Sequence, residues 1–204
     1  MQQLMPPLAA KAAEDTMFYR YGRLLSRNEV GSHPATLAMP PDRFHARMTV
    51  RAQVWPHAML ATATHDHKRG EDMRMRLAVL SELAPEWQAA VAEWEARALR
   101  LAGSAERAGP DGADRLMLYQ TLVGMWPPEL PADRDAGDPA VQTLLERVGA
   151  WQIKQCAKRS GTATGRGPTK PTSRPMRDCC RRWRTAICSA TWRVSRSASP
   201  RPAR

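Results

Sequence analysis

Apolar residues recur at steps of three and four through most of residues 71–154, and this periodicity limits the fold more than any other feature of the chain. The clearest run consists of Trp87, Val91, Trp94, Ala98 and Leu101, which share one face of an α-helix. Shorter runs predict further helices over residues 42–54, 71–80, 114–126 and 139–154. The first thirteen residues are predicted to be helical after Pro6, because proline suits a first helical turn. We therefore expect a mostly helical body.

One short segment, residues 58–64, is predicted to be a strand, because it is largely apolar and lies between Pro56 and a charged cluster. Seven of the nine residues in that cluster, 64–72, are ionisable. In parallel α/β sheets and barrels, ligands bind at the carboxyl ends of strands. The cluster is therefore either a ligand site or a solvated loop whose acidic residues begin a helix, and spacing alone leaves both interpretations open.

Charge divides the chain into a neutral body and a basic tail. Thirteen of the 31 Lys and Arg lie in residues 155–204 against one acid, Asp178, so the tail carries +12 and the body −1. All four cysteines also lie in the tail, so the body has no disulfide framework and no thiolate metal site. No run of about 18 apolar residues and no secretory signal is visible. These features predict a cytoplasmic protein without a membrane segment.

Residues 61–77 resemble the segment ATSTHDTKRGEDVRARL of maltooligosyl trehalose synthases, which are α-amylase-like glycoside hydrolases. The resemblance covers about residues 2–154 and includes other stretches in the same order, at residues 10–11, 14–16, 18–21, 28–31, 55–60 and 118–122. His67 stands where the family usually has Thr, and Ala12 where it usually has Gly. The resemblance implies an α/β fold: a mostly helical fragment from the C-terminal part of a (β/α)8 barrel enzyme, followed by its helical extension.

The resemblance implies a role for several residues. Asp66 corresponds to a carboxylate that stabilises the transition state at the end of the seventh barrel strand. The family pattern assigns sugar contacts to His65, Lys68 and Arg69. Two aromatic residues, Tyr19 and Tyr21, are candidates to stack on glucose, although aromatic residues at this density are more often part of a core. Neither a metal nor another cofactor is implied.

The implied activity is that of an isomerase in trehalose biosynthesis. It moves the reducing-end α-1,4 linkage of a maltooligosaccharide to α,α-1,1. Retaining chemistry needs a nucleophilic carboxylate and a general acid about 5–5.5 Å apart, and in this family both come from earlier barrel strands. We therefore expect a fragment that is inactive on its own, with the end of the barrel at residues 1–103, its active-site strand at 58–66, and a helical region at 104–154.

Residues 155–204 are predicted to be a disordered basic tail produced by a frameshift. Back-translating residues 167–173 with mostly G/C-ending codons and starting at the third base gives PDEAYE. The same offset over 155–161 gives VREAKR. Both peptides resemble the family's C-terminal region, so the tail is expected to have no selected function.

Two other functions are compatible with parts of the sequence. His65, Asp66 and His67 are typical of the first ligands of metal-dependent hydrolases, but such sites need more ligands and no His follows His67. The cluster of Arg181, Arg182, Trp183 and Arg184 is typical of nucleic-acid binding. We expect a maltooligosaccharide as the ligand, with no membrane and no nucleic acid as partner, and the sequence leaves the oligomeric state open.

Overall fold

The computed structural model describes residues 4–33, 36–102, 111–131, 134 and 137–159. The α-helices in this part of the chain are α1 (Met5–Ala9), α2 (Pro41–Val54), α3 (Glu71–Ala78), α4 (Ala84–Ala102), α5 (Gly112–Met125) and α6 (Pro139–Arg159). A π-helical turn at Ala10–Glu14 follows α1, and 3-10 turns lie at Met17–Tyr19, Leu25–Arg27 and Val79–Ser81. The prediction of a mostly helical body is confirmed.

Capping residues explain where two of the helices begin. The Asp111 carboxylate accepts a hydrogen bond from the backbone N–H of Asp114, at 2.9 Å, and caps α5. Asp138 accepts from the N–H of Ala140 at 2.8 Å in the same way. Acidic side chains Glu71 and Asp72 occupy the first turn of α3, where the positive end of the helix dipole favours them.

The predicted strand at 58–66 is wrong. These residues have no regular secondary structure, and every one of them is exposed. Ala and Met are weak strand formers, and the described residues contain no second strand with which this segment can pair. The structure therefore supports a mostly helical fragment and not, within this part of the chain, the α/β class.

The prediction of disorder is wrong for residues 155–159, which are helical. Helix α6 continues past Lys154 to Arg159, and within this extension Gln155 is buried and donates to the Met117 sulfur at 2.8 Å. The predictions of disorder and of a frameshifted sequence concern mostly residues 160–204, which lie outside the described residues.

Helix α5 lies at the centre of the fold and is buried on more than one side. Its buried residues are Met117, Leu118, Tyr119, Gln120, Thr121 and Gly124. Five of these are consecutive, whereas a helix with one buried face has its buried positions at steps of three and four. Helix α5 is therefore buried on several sides, because α3, α4 and α6 all pack against it.

Two apolar clusters hold these helices together. In one, Leu118 of α5 packs with the α6 residues Val141, Leu144, Leu145 and Val148, which recur with the helical period. In the other, Met117 packs with Leu25 and Leu77. A Cβ at Gly124 would lie 2.7 Å from the Cγ of Met73, so glycine permits the close contact between α3 and α5.

Buried polar side chains attach the irregular N-terminal segment to this core. The Gln120 side chain accepts from the N–H of Leu25 at 2.8 Å and donates to the carbonyl of Gly22 at 2.7 Å. Asn28 donates to the carbonyls of Phe18 and Tyr21. These amides satisfy backbone groups that a loop leaves unpaired, and they fix residues 18–28 against α5.

None of the described helices has the length and apolar character needed to cross a membrane.

Replacing Leu118 with Ala should reduce the free energy of unfolding by about 2–5 kcal/mol, because this fully buried side chain fills the contact between α5 and α6. Urea unfolding followed by circular dichroism measures the change. The same substitution at Leu99, which is 44% exposed on α4, is the matched control and should cost under about 1 kcal/mol. Equal losses for the two variants would contradict this description of the core.

Candidate functional site

A surface pocket of about 250 Å³ lies where three parts of the chain meet. One wall is the loop at residues 65–69, a second is formed by Asp15, Phe18 and Tyr19, and the third is the end of α6. The pocket lining consists of Asp15, Phe18, Tyr19, His65, Asp66, His67, Lys68, Arg69, Trp151, Lys154 and Lys158. Two carboxylates, several cations and three aromatic rings thus face one space.

The loop presents its acidic group to solvent. Asp66 is 63% exposed, and its Oδ2 lies 3.2 Å from the Nε2 of His65. The Nδ1 of His67 accepts from the backbone N–H of Thr64 at 2.9 Å and lies 2.8 Å from the Thr64 hydroxyl. The ammonium group of Lys68 donates to the backbone carbonyl of Asp66 at 3.0 Å. These contacts give the loop a defined shape and leave the Asp66 carboxylate open to a ligand.

A buried carboxylate, Glu29, attaches the loop to the N-terminal segment. Its Oε2 accepts from the backbone N–H of Lys68 at 2.7 Å, and its Oε1 lies 3.7 Å from the Nη1 of Arg69. Arg69 also donates to the carbonyl of Asn28 at 3.4 Å. Burial lowers the pKa of Arg69, and the charge of Glu29 opposes that shift. Arg69 thus lines the pocket from a buried position in which its charge is paired.

The other side of the pocket contains a second carboxylate, Asp15, held between two lysines. Its oxygens lie 2.8 Å from the Nζ of Lys11 and 2.9 Å from the Nζ of Lys158. Burial favours a higher pKa for Asp15, but the hydrogen bonds from the two lysines outweigh it and the pKa is lowered. Burial also raises the pKa of the neighbouring Tyr19, whose ring lines the pocket.

The structure brings most of the predicted site residues together. His65, Asp66, Lys68, Arg69 and Tyr19 line one pocket, whereas the half-buried Tyr21 is not among its lining residues. Tyr21 uses its backbone carbonyl to accept from Asn28.

Sequence reasoning missed the contribution of α6 and the roles of Asp15 and Glu29. The α6 residues Trp151, Lys154 and Lys158 are far from the loop in sequence, and no local pattern connects them with it. Asp15 and Glu29 each lie in a short stretch that resembles the family. The resemblance therefore includes both residues but implies no role for either.

The metal-hydrolase alternative gains no support from this geometry. In the part of the chain that the structure describes, no group of three His, Cys, Asp or Glu side chains is arranged to hold a metal ion. One ring nitrogen of His67 contacts Thr64 instead. The nucleic-acid alternative depends on residues 181–184, which lie outside the described residues.

Curated proteins and solved structures that are similar to this chain are named as maltooligosyl trehalose synthases. Putative maltooligosyl trehalose synthases of two Mycobacterium tuberculosis strains are 40% identical over 127 residues, which is 62% of this chain and 15% of theirs. A crystal structure of a hypothetical maltooligosyl trehalose synthase from Sulfolobus tokodaii matches 93% of this chain with a TM-score of 0.69 and 30% identity. A mutant maltooligosyltrehalose synthase from Arthrobacter ramosus matches 96% with a TM-score of 0.68 and 28% identity. No protein-family profile matches.

These matches cover only part of each relative. The chain spans about 15% of the length of the Mycobacterium proteins and about 23% of each of the two solved chains.

Replacing Glu29 with Ala should lower the free energy of unfolding by about 3–5 kcal/mol, because it leaves Arg69 buried without its counter-charge. It should also speed hydrogen exchange at the Lys68 amide, whose acceptor is removed. Urea unfolding and amide exchange measure the two effects. Glu29→Gln keeps an acceptor oxygen and should restore protection at Lys68 in part.

The control for Glu29 is Glu95→Ala, which removes another carboxylate paired with an arginine, Arg115. It should reduce stability without a selective effect at Lys68. Equal acceleration at Lys68 in the two variants would show that Glu29 does not hold the loop.

Replacing Asp15 with Asn should lower stability by about 1 kcal/mol near pH 7, since it removes the ion pairs with Lys11 and Lys158. A lowered folded-state pKa contributes stability that is complete above the unfolded value near 4 and lost as pH falls through the folded value. The difference between variant and parent should therefore shrink as the pH falls below the unfolded value of 3.8. Thermal unfolding across pH measures it, and a difference that persists at the lowest pH would contradict this assignment.

Proposed function

We propose that this chain, which is homologous to a part of the maltooligosyl trehalose synthases and has the size of a fragment of one, contributes a saccharide-binding segment to an intramolecular transglucosylation. The observation that carries the proposal is the pocket that joins Asp66 and His65 with Tyr19 and Lys68, in a chain 40% identical to such enzymes over 127 residues.

The pocket has the chemical groups that sugar recognition requires. A pyranose presents hydroxyls at its edge, which carboxylates, imidazoles and ammonium groups can bind, and apolar C–H groups on its faces, which pack on aromatic rings. Asp66 and His65 supply exposed polar groups, while Tyr19 and Trp151 supply ring surfaces in the same pocket. We expect one glucose unit to lie between them.

In the proposed reaction, the bond from C1 of a glucosyl unit to O4 of the reducing-end glucose breaks. The anomeric hydroxyl of that same glucose then bonds to the same C1, so the product is an isomer of the substrate. C1 acquires oxocarbenium-like positive charge in each step. We assign to Asp66 the stabilisation of that charge, because a fixed carboxylate beside the developing cation lowers the barrier.

Two further carboxyl groups are needed, a nucleophile and a general acid about 5–5.5 Å apart. Asp15 does not suit the role of acid, because its lowered pKa keeps it ionised. We therefore infer that the chain binds saccharide by itself and that conversion requires carboxyl groups from outside the described residues.

Replacing Asp66 with Asn should weaken binding of maltopentaose to the full chain by about tenfold, because a charge-assisted hydrogen bond to a sugar hydroxyl contributes on the order of 1.5 kcal/mol. Isothermal titration calorimetry measures the dissociation constant. The control is Asp72→Asn, another exposed carboxylate, which is in the first turn of α3 and not in the pocket lining.

Either no saccharide binding by the parent chain or equal affinities for Asp66→Asn and the parent would contradict the proposal. The same samples should leave the reducing ends of maltopentaose unconsumed, and turnover by the chain alone would show that it has its own nucleophile and acid.

A further inference from the structure

A tight turn presents the two loop residues to which the proposed function assigns saccharide contacts. The backbone N–H of His67 donates to the carbonyl of Thr64 at 3.1 Å, which closes a four-residue turn with His65 and Asp66 at its centre. Both central side chains are exposed, His65 to 87% and Asp66 to 63%. The shape of this turn therefore determines where the Asp66 carboxylate lies in the pocket.

The side chain of His67 closes the same turn a second time. Its Nδ1 accepts from the backbone N–H of Thr64 at 2.9 Å and lies 2.8 Å from the Thr64 hydroxyl. A ring nitrogen that accepts from an N–H is unprotonated, because a protonated nitrogen has no lone pair with which to accept. The observed turn is thus that of a neutral imidazole with its hydrogen on Nε2, and the Thr64 hydroxyl is a second donor to Nδ1.

Protonation of His67 is incompatible with this arrangement. A hydrogen on Nδ1 would face the backbone N–H of Thr64, so that two donors would oppose each other. The Thr64 hydroxyl can rotate and accept from the charged ring, but the N–H is only a donor and loses its partner. This side of the turn then has to rearrange, and the Asp66 carboxylate moves with it.

We infer that His67 is a pH-dependent positioning residue, which holds the turn in its saccharide-binding shape only while its imidazole is neutral. Histidine is the side chain that ordinarily changes charge between pH 5 and 8. The pocket should therefore bind saccharide at the upper end of this range and lose affinity as the pH falls through it. This inference rests on the proposed function, which assigns saccharide binding to Asp66.

Other charged groups surround the turn, and their titration has to be separated from that of His67. The pocket lining contributes Asp15, Tyr19, His65, Asp66, Lys68, Arg69, Lys154 and Lys158, and Lys11, Glu29 and Arg74 interact with residues of the same loop. Carboxyl, phenol, ammonium and guanidinium groups ordinarily change charge outside pH 5–8, which leaves His65. Its Nε2 lies 3.2 Å from the Asp66 carboxylate, so protonation of His65 strengthens that contact and does not remove the acceptor of the Thr64 amide.

The direct readout is the backbone amide of Thr64. In two-dimensional NMR spectra of the full isotope-labelled chain without saccharide, its shifts should follow the ring shifts of His67 between pH 8 and 5 with a common midpoint. Its hydrogen exchange, corrected for the intrinsic effect of pH, should become faster below that midpoint, because the amide loses its acceptor.

Three variants separate the charge of His67 from its shape. His67→Asn places a side-chain oxygen near the position of Nδ1, where it accepts without titrating, so the Thr64 amide should stay protected at both ends of the pH range. His67→Ala should leave that amide unprotected at both ends. His65→Asn, which removes the other imidazole of the turn, is the matched control and should keep the pH-dependent Thr64 signals.

Calorimetry with maltopentaose measures the consequence for binding. The affinity of the parent chain should fall about tenfold between pH 8 and 5, which corresponds to about 1.4 kcal/mol, within the range of one net hydrogen bond. His67→Asn should lose most of this pH dependence.

A Thr64 amide that is indifferent to the charge of His67, or that titrates in the same way in His67→Asn, would overturn the inference. So would a fall in saccharide affinity that His67→Asn leaves unchanged. Failure of the proposed function gives a different result. Absence of saccharide binding at either pH, with a Thr64 amide that follows His67, keeps the pH-dependent turn and removes the proposed function. Saccharide binding that depends on Asp66, without a response of Thr64, does the reverse.

Discussion

The side chain of Gln120 joins the helical core to the irregular N-terminal segment, and the candidate site depends on that connection. Through its two hydrogen bonds to residues 22 and 25, α5 holds a stretch of chain that has no backbone ladder of its own. Asn28 fixes the turn that contains Tyr19, and Glu29 fixes the loop that contains Asp66. The side chains of these three buried residues thus fix two walls of the pocket relative to α5. In regular secondary structure, backbone hydrogen bonds would do this.

The helices could be predicted from sequence because their signals are local. Val141, Leu144, Leu145 and Val148 recur with the helical period and are all buried. The period could not show that α5 is buried on several sides, since that depends on how many neighbours surround it. The segment at 58–66 shows a second limit of the sequence. A strand forms only when another strand pairs with it, and the sequence of one segment does not show whether it does.

The sequence identified the site residues in the loop at 65–69, but it did not connect them with the residues on the other walls of the pocket. Residues 65–69 are adjacent in sequence, so a resemblance to a known family identified them as a group. The opposing walls come from Asp15 and Tyr19 on one side and from Trp151 and Lys158 on another, and only the packing of α6 against the turn at Met17–Tyr19 brings them together. Arg69 also shows that matching a motif does not fix a role, because its charge is already paired with Glu29.

The most direct test of the account is the position of maltotriose in a crystal structure of this chain. We expect a glucose ring in the pocket, with its hydroxyls within hydrogen-bond distance of Asp66 and His65 and one face on Tyr19 or Trp151. A sugar bound elsewhere on the surface, with the pocket closed by its own side chains, would contradict it.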